Sequence, residues 1–211
     1  MYTLYGTRGS GSASVEAALE VCGLPYRIVR ASTWEDDSAR DELRRVNPMQ
    51  QIPTLVLPDG TVMSESAAIL AYLGLEAAAP GVLMPRDAAG RAKALRGLVF
   101  IAANCYSAIS VIDYPERWTT DTDKERLDAI RAGTRARLHR HWEVFADTFD
   151  GEPFLNGDAP GALDILAAVV SKWSGARAHL KANRPAFSEL LARIEAHERI
   201  APTFAKHWER T

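Results

Sequence analysis

The sequence predicts a small α/β domain over residues 1–76, followed by an all-helical domain over residues 87–211. Three observations predict this division. Short apolar runs alternate with helical patterns up to about residue 76. Residues 77–86, rich in alanine, proline and glycine, then interrupt the pattern, and from there onward apolar residues recur at helical spacing. The predicted fold class is therefore α/β plus all-α.

The first half of the α/β domain is predicted as strand, helix and strand. Residues 2–6 form an apolar and aromatic strand, and residues 25–29 alternate like a second one. The helix between them, near residues 15–22, is expected to keep Glu16 and Glu20 off its apolar face. Because a helix connects these strands, they are expected to pair in parallel.

The second half of this domain is predicted as a helix, a hairpin and a final helix. A short helix is expected over residues 39–46. Asp59-Gly60 separates two apolar runs and is a strong hairpin signal, because glycine accepts positive φ without steric cost. Ser66 is expected to cap the helix that follows. The resulting order, βαβ-α-ββα, is that of the thioredoxin-like fold.

The helical domain is predicted as two long helices, a buried helix and two short ones. The first long helix covers Asp87–Ile112, and the second begins at a Thr122-x-x-Glu125 capping box and runs to about residue 150. Leu163–Ala178 is the most apolar helix and is expected to be central. The short helices are expected near Pro185–His197 and Ala201–Trp208.

Composition and charge exclude several function classes. The 211 residues are 47% hydrophobic with a formal net charge of −2, so nothing favours binding to nucleic acid or to an anionic membrane. Neither Cys22 nor Cys105 belongs to a C-x-x-C pair, which indicates a reduced setting without disulfides. The chain starts as a strand rather than a signal peptide, and no apolar run approaches the ~20 residues of a membrane span. We therefore expect a cytoplasmic protein.

Residues 51–73 carry the most specific pattern in the chain. Pro53 cannot donate to a ladder, and a cis Ile52-Pro53 bond would turn the Ile52 backbone toward a ligand. Glu65-Ser66 then opens a helix whose first-turn N–H groups favour a carboxylate. The proline, the hairpin, the Glu-Ser pair and the following helix together resemble the glutathione-binding half of the cytosolic glutathione S-transferases. The resemblance extends over essentially the full length and implies a bacterial-type member of serine or other hydroxyl class.

A second landmark of that family lies at residues 155–164. The family has a Ser/Thr-x-x-Asp capping box before its central helix. Here Asp164 matches, while Gly161 stands at the serine or threonine position and offers no side-chain oxygen. The resemblance therefore implies half of the reciprocal cap, with Asp164 reaching back to a backbone N–H.

The resemblance also implies how glutathione is bound as a co-substrate. Glu65 and Ser66 would hold its γ-glutamyl end, next to Ile52 and Pro53. Trp34 and Gln51 stand where the family contacts the glycyl and cysteinyl parts. Arg8 could pair with a ligand carboxylate or lie in solvent. The glutathione-binding candidates are Arg8, Trp34, Gln51, Ile52, Pro53, Glu65 and Ser66.

Activation of the thiol requires a hydrogen-bond donor, because a free thiol with a pKa of about 8.5 is mostly protonated at neutral pH. In the family this donor is a tyrosine, serine or cysteine just after the first strand. The segment has no cysteine, which disfavours the cysteine-type thiol reductases. Ser10 is the first candidate, Ser12 the second and Tyr5 the third, and Thr7 is a further one.

The electrophile pocket is expected between the loop after the first strand and the first long helix. Its candidate residues are Tyr106, Ile109, Tyr114 and Trp118. The predicted reaction is attack of the glutathione thiolate on an apolar electrophile. Peroxide reduction, dehalogenation and a non-catalytic glutathione-binding regulatory role are the alternatives. The resemblance implies a homodimer, and no metal site is predicted.

Overall fold

The computed structural model describes residues 1–32 and 34–208. Its N-terminal part follows the predicted order of strands and helices. The elements are β1 (Tyr2–Gly6), α1 (Ser12–Cys22), β2 (Tyr26–Arg30), α2 (Arg40–Val46), β3 (Thr54–Val56), β4 (Val62–Met63) and α3 (Ser66–Tyr72). A π-helical turn, Leu73–Ala77, extends α3. The predicted thioredoxin-like topology is confirmed.

The four strands form one sheet in the order β2-β1-β3-β4. β1 and β2 are parallel, with Tyr2 opposite Tyr26, as the crossover through α1 predicts. β3 is antiparallel to both β1 and β4. The predicted turn between β3 and β4 is present: Gly60 has a φ of 92°, and the Thr61 N–H donates to Asp59 Oδ1 at 2.9 Å.

The rest of the chain is helical, as predicted. It begins with α4 (Ala88–Phe100), which continues through a π-helical segment (Ile101–Tyr106) into α5 (Ser107–Asp113) and a short 3₁₀ turn (Pro115–Arg117). The remaining helices are α6 (Lys124–Thr148), α7 (Ala162–Val170), α8 (Ala176–Asn183), α9 (Pro185–Ala196) and α10 (Ala201–Trp208).

Two predicted helix boundaries are wrong. α6 is capped by Asp123, whose Oδ1 accepts the Arg126 N–H at 3.0 Å, and not by a Thr122–Glu125 box. The predicted helix over residues 163–178 breaks after Val170. There the Ser171 hydroxyl bonds the Ala167 carbonyl, and Ser174 and Gly175 adopt positive φ values of 55° and 78°. A left-handed pair of residues cannot continue a helix, so α8 starts anew.

The core is centred on α7, which is buried along its whole length and packs against α1, α4 and α9. Asp164 in its first turn is fully buried. Its carboxylate accepts the N–H groups of Leu155 at 2.8 Å, Asn156 at 3.1 Å and Gly161 at 3.0 Å. The predicted half cap is therefore present. Burial raises the pKa of Asp164 to about 6, against the opposing effect of the three N–H donors.

The C-terminal helix covers α1 and corrects one expectation about it. Glu16, expected off the apolar face, is only 3% exposed, because α10 packs over it. Its Oε2 lies 2.8 Å from His207 Nε2, and its Oε1 accepts from Lys206 Nζ at 3.2 Å. The other ring nitrogen of His207 accepts the N–H of Gly9 at 3.1 Å. The loop after β1 is thus tied to the C-terminal helix.

The continuous helix Ala88–Asp113 is long and apolar enough to cross a membrane by length and composition alone, because its most apolar 18-residue window has a mean hydropathy of 1.6. Charged and polar residues interrupt this segment, so the sequence alone does not predict a membrane-spanning helix there. In the structure its α4 half packs against α7 and its α5 half against α6, and one third of that window is buried.

Candidate active site

A cavity of about 630 Å³ lies between the two parts of the chain. Its floor consists of the loop after β1 and the turns before β3 and α3, and its opposite wall is the helical segment from residue 102 to 117. Of the predicted site residues, the cavity is lined by Ser10, Trp34, Gln51, Ile52, Pro53, Glu65, Ser66, Tyr106, Ile109 and Tyr114. The fold therefore brings the expected glutathione-binding residues other than Arg8, and three of the four expected pocket residues, around one space.

The turn before β3 is held by side chains of its own segment. The Ile52-Pro53 bond is cis, as expected. The Gln51 carbonyl accepts from Thr54 Oγ1 at 2.7 Å and from Asn47 Nδ2 at 3.1 Å, and Asn47 Nδ2 also donates to Thr54 Oγ1 at 2.9 Å. These bonds fix the turn, so that Gln51, Ile52 and Pro53 face the cavity in a defined arrangement.

Glu65 and Ser66 form the turn that enters α3. Glu65 has φ 66° and ψ 105°, a backbone conformation that non-glycine residues rarely adopt and that often marks a binding site. Ser66 was expected to cap α3, but Glu65 holds the cap position and no side-chain cap bond forms. Ser66 is instead the first helical residue, 5% exposed, and within residues 1–32 and 34–208 its hydroxyl has no hydrogen-bond partner. That hydroxyl is available to a ligand.

The two serines after β1 bond to each other and to their own loop. Ser10 Oγ donates to the Thr7 carbonyl at 2.8 Å and accepts the Ser12 N–H at 3.2 Å. Ser10 Oγ and Ser12 Oγ are 2.7 Å apart, and Ser12 Oγ is 3.2 Å from the same carbonyl. Ser10 lines the cavity, whereas Ser12 lines a second cavity, of about 930 Å³, on the other side of the loop.

Four other candidates do not line the main cavity: Tyr5, Thr7, Arg8 and Trp118. The Tyr5 hydroxyl donates to Glu42 Oε1 at 2.7 Å inside a separate small core, and Tyr5 does not line the cavity. Thr7 Oγ1 donates to Glu35 Oε2 at 2.8 Å, and Arg8 lines the second cavity. Trp118, 59% exposed, lies outside the lining of the main cavity.

Several lining residues were not expected from the sequence. They are Gly9, Gly11, Gln50, Ala67, Ala102, Ser107, Ser110, Asp113, Arg117 and Trp173. Trp173 is absent from the predicted site residues because residues 171–175 are predicted as the interior of a helix. Its ring stacks on Tyr106, with centroids 5.7 Å apart and planes 20° apart. The guanidinium of Arg117 lies 3.9 Å from the centroid of the Tyr114 ring, a cation–π contact at the wall of the cavity.

Burial sets the protonation of two groups in the wall. It raises the pKa of Tyr106 to about 12, and the nearby Glu65 and Asp113 carboxylates add to that effect. Burial also raises the pKa of Asp113 above its ordinary value. Tyr106 is therefore a phenol at neutral pH and can donate a hydrogen bond. No group of three or more His, Cys, Asp or Glu side chains in the described part of the chain could hold a metal ion.

Comparisons with known proteins agree with this architecture. Residues 12–76 match the family described as glutathione S-transferase, N-terminal domain. The chain is 36% identical over 175 residues to an uncharacterised GST-like protein, YncG, of Escherichia coli K12, with 82% of each chain covered. It is 31% identical over 176 residues to the probable glutathione S-transferase BZ2 of Zea mays, covering 78% of this chain and 70% of the relative.

Solved structures share the fold at low sequence identity. A glutathione transferase homologue from Sulfitobacter, solved with bound glutathione, superposes with a TM-score of 0.82 at 23% identity over 96% of both chains. The bacterial transferase BphK gives a TM-score of 0.77 at 24% identity, covering 96% of this chain and 97% of BphK. The cavity is lined by the cis-proline turn, the Glu-Ser turn and the helical wall, and two relatives are more than 30% identical over most of the chain. This chain therefore belongs to the glutathione S-transferase family.

Proposed function

We propose that this chain conjugates glutathione to an apolar electrophile. One observation carries the proposal: the Ile52-Pro53 turn and the Glu65-Ser66 turn line the same cavity as an aromatic and aliphatic helical wall. One side of the cavity offers backbone and hydroxyl groups to a peptide. The other side offers Tyr106, Ile109 and Tyr114 to an apolar compound. Family membership supports the same reaction.

In this reaction the glutathione thiol loses its proton to solvent, and the thiolate sulfur forms a bond to the electrophilic carbon. With an aryl chloride, the carbon–chlorine bond breaks and chloride leaves with the bonding electron pair. The contribution of the protein is to hold the thiolate beside the electrophile and to stabilise its charge. Ser66, with Glu65, is proposed to bind the γ-glutamyl end, and Gln51, Ile52, Pro53 and Trp34 to line the rest of the peptide.

The donor to the thiolate is proposed to be a hydroxyl group that faces the cavity. Of the three candidates predicted from the segment around β1, only Ser10 lines the cavity. Ser12 is disfavoured because it lies on the far side of the loop, and Tyr5 because its hydroxyl already donates to Glu42. Arg8 and Trp118 stay weaker candidates for ligand contact, since neither lines the cavity.

Calorimetric titration with glutathione, followed by turnover of a chloro-dinitrobenzene substrate, tests the proposal. Ser66→Ala should weaken glutathione binding by about 1.5–3 kcal/mol, the usual contribution of a hydrogen bond to a charged group. Ser64→Ala, two residues away and outside the lining of the cavity, is the matched control and should bind normally. Equal affinity of the two variants would contradict the γ-glutamyl site. Binding without turnover would favour the peroxidase, dehalogenase or regulatory alternatives.

We further propose a homodimer formed by α3 and the first turns of α4, a cytoplasmic location, and two domains over residues 1–76 and 87–211. The exposed apolar side chain of Leu75, 44% exposed in the turn that extends α3, supports the dimer. Sedimentation that finds only a 23.1 kDa species would argue against it. Cell fractionation tests the location, and limited proteolysis within residues 77–86 tests the division.

A further inference from the structure

The Tyr106 side chain reaches across the cavity to the start of α1. A methyl group at Gly11 would overlap the Tyr106 hydroxyl oxygen and would lie 3.0 Å from its Cζ. Gly11 is the cap residue of α1 and has ordinary helical dihedrals, φ −60° and ψ −18°. Its lack of a side chain is therefore not required by the backbone, and it leaves the space that the Tyr106 hydroxyl occupies.

Two features of the helical part hold the ring in this position. Tyr106 is the last residue of the π-helical segment Ile101–Tyr106, and such wider turns change the direction of the side chains that follow. On its other side the ring stacks on Trp173, which lies in the turn between α7 and α8. The hydroxyl is thus positioned by the π-helical segment that carries it and by the turn between α7 and α8. Within the described ranges, 1–32 and 34–208, no hydrogen-bond partner takes it up.

The serine hydroxyls of the opposing loop are already occupied. The single proton of Ser10 goes either to the Thr7 carbonyl at 2.8 Å or to Ser12 Oγ at 2.7 Å, while its oxygen accepts from the Ser12 N–H. To donate to a ligand sulfur, Ser10 would have to give up one of these bonds. Tyr106 would give up nothing.

We propose that the Tyr106 hydroxyl is the catalytic hydrogen-bond donor to the glutathione thiolate, at a position vacated by the missing side chain of Gly11. The inference rests on the proposed function, because it requires glutathione in this cavity. With the peptide between the Ile52-Pro53 and Glu65-Ser66 turns, its sulfur would lie beside the Tyr106 hydroxyl, on the cavity side of Gly11. The phenol is protonated at neutral pH, so it donates to the sulfur and does not act as a base. The charged groups that face it are the Glu65 and Asp113 carboxylates.

The test is the pKa of enzyme-bound glutathione, followed by the ultraviolet absorbance of the thiolate. Tyr106→Phe removes the hydroxyl and keeps the ring on Trp173. It should raise the pKa of the bound thiol by about one to two pH units and lower kcat/KM at neutral pH by about ten- to a hundredfold. Activity should return above the new pKa. At a pH below both pKa values, where the bound thiol is protonated in both proteins, the Kd for glutathione should change less than about twofold. Tyr72→Phe, which does not line the cavity, should change none of these.

Gly11→Ala provides a second, independent variant. Its methyl group must displace the Tyr106 hydroxyl, so it should raise the same thiol pKa with Tyr106 present. It should add little to the shift in the Tyr106→Phe background, because the hydroxyl is already absent there. Independent, additive shifts from the two substitutions would contradict the proposed geometry.

The remaining outcomes separate this inference from the proposed function. A wild-type protein that binds and conjugates glutathione, with an unchanged thiol pKa in Tyr106→Phe and a raised one in Ser10→Ala, overturns the inference and assigns the donor to Ser10. A wild-type protein that does not bind glutathione removes the proposed function, and this inference with it. Calorimetry on the unaltered chain distinguishes the two cases before any variant is made.

Discussion

Gly97 sets how closely α4 approaches α7. A methyl group at this position would lie 2.6 Å from both δ carbons of Leu163, which is itself 3% exposed and has no route to solvent. Gly97→Ala has two opposite effects on the free energy of unfolding. Alanine favours a helix interior over glycine by about 0.8–1 kcal/mol. Inserting a methyl group into a packed core typically costs about 1–3 kcal/mol. Since contact distances of 2.6 Å force either Leu163 or the helix axis to move, the second effect should win.

The expected result is a loss of about 1–2 kcal/mol in the free energy of unfolding, measured by urea denaturation at fixed protein concentration. Gly133→Ala is the matched control. Gly133 lies in α6, and a methyl group there would meet nothing within 4 Å, so helix propensity alone should stabilise the protein by up to about 1 kcal/mol.

The double variant identifies the cause. In a Leu163→Ala background the obstructing side chain is absent, and Gly97→Ala should become neutral or stabilising. If Gly97→Ala stabilises the otherwise unaltered protein as much as Gly133→Ala does, the close approach of α4 to α7 does not restrict the side chain at position 97.

Two further predictions concern ionisable groups outside the cavity. Burial alone would raise the pKa of Glu16, but its bonds to His207 and Lys206 outweigh this effect and lower it. These bonds therefore stabilise the folded protein at pH values above the usual pKa of 4.5, and this stabilisation is lost as the pH falls through the lower pKa of Glu16 in the folded protein. Glu16→Gln should lack this loss, and parallel pH profiles of unfolding for variant and wild type would contradict the pairing. Burial raises the pKa of Cys22 to about 11 and of Cys105 to about 12, so replacing both by serine should leave turnover per folded molecule unchanged. A large loss of turnover would indicate thiol chemistry by the enzyme itself.

The parts of the fold that could be predicted are those encoded by neighbouring residues. Signals within a few residues encode the Asp59-Gly60 turn and the cap by Asp164. The parallel pairing of β1 with β2 follows from a helical crossover, which has one favoured hand. Ile52-Pro53 and Glu65-Ser66 were found because their spacing within one hairpin unit is a local pattern as well. The structure places these two pairs at one cavity.

What could not be predicted depends on contacts between distant segments. The burial of Glu16 follows from α10, which supplies His207 about 190 positions further along the chain, and no periodicity of α1 encodes that partner. Trp173 was missed for a different reason. Residues 163–178 are apolar enough to read as one helix, and the left-handed pair at Ser174 and Gly175 that breaks it is a weak signal in a sequence.

The packing of α4 against α7, which Gly97→Ala is expected to disturb, also positions the proposed donor. Gly11 belongs to the α/β part and Tyr106 to the helical part, so the distance from the Tyr106 hydroxyl to a bound sulfur depends on how α1, α4 and α7 pack. α4 continues directly into the segment that carries Tyr106. A shift of α4 caused by Gly97→Ala should therefore move the hydroxyl, and displacements of about 1 Å can lower a rate about a hundredfold. The variant should lose turnover at neutral pH while keeping its glutathione affinity, because the peptide-binding turns lie in the other part of the chain. Unchanged turnover alongside reduced stability would mean that the position of Tyr106 is set locally, by its stack on Trp173, and not by the packing of α4.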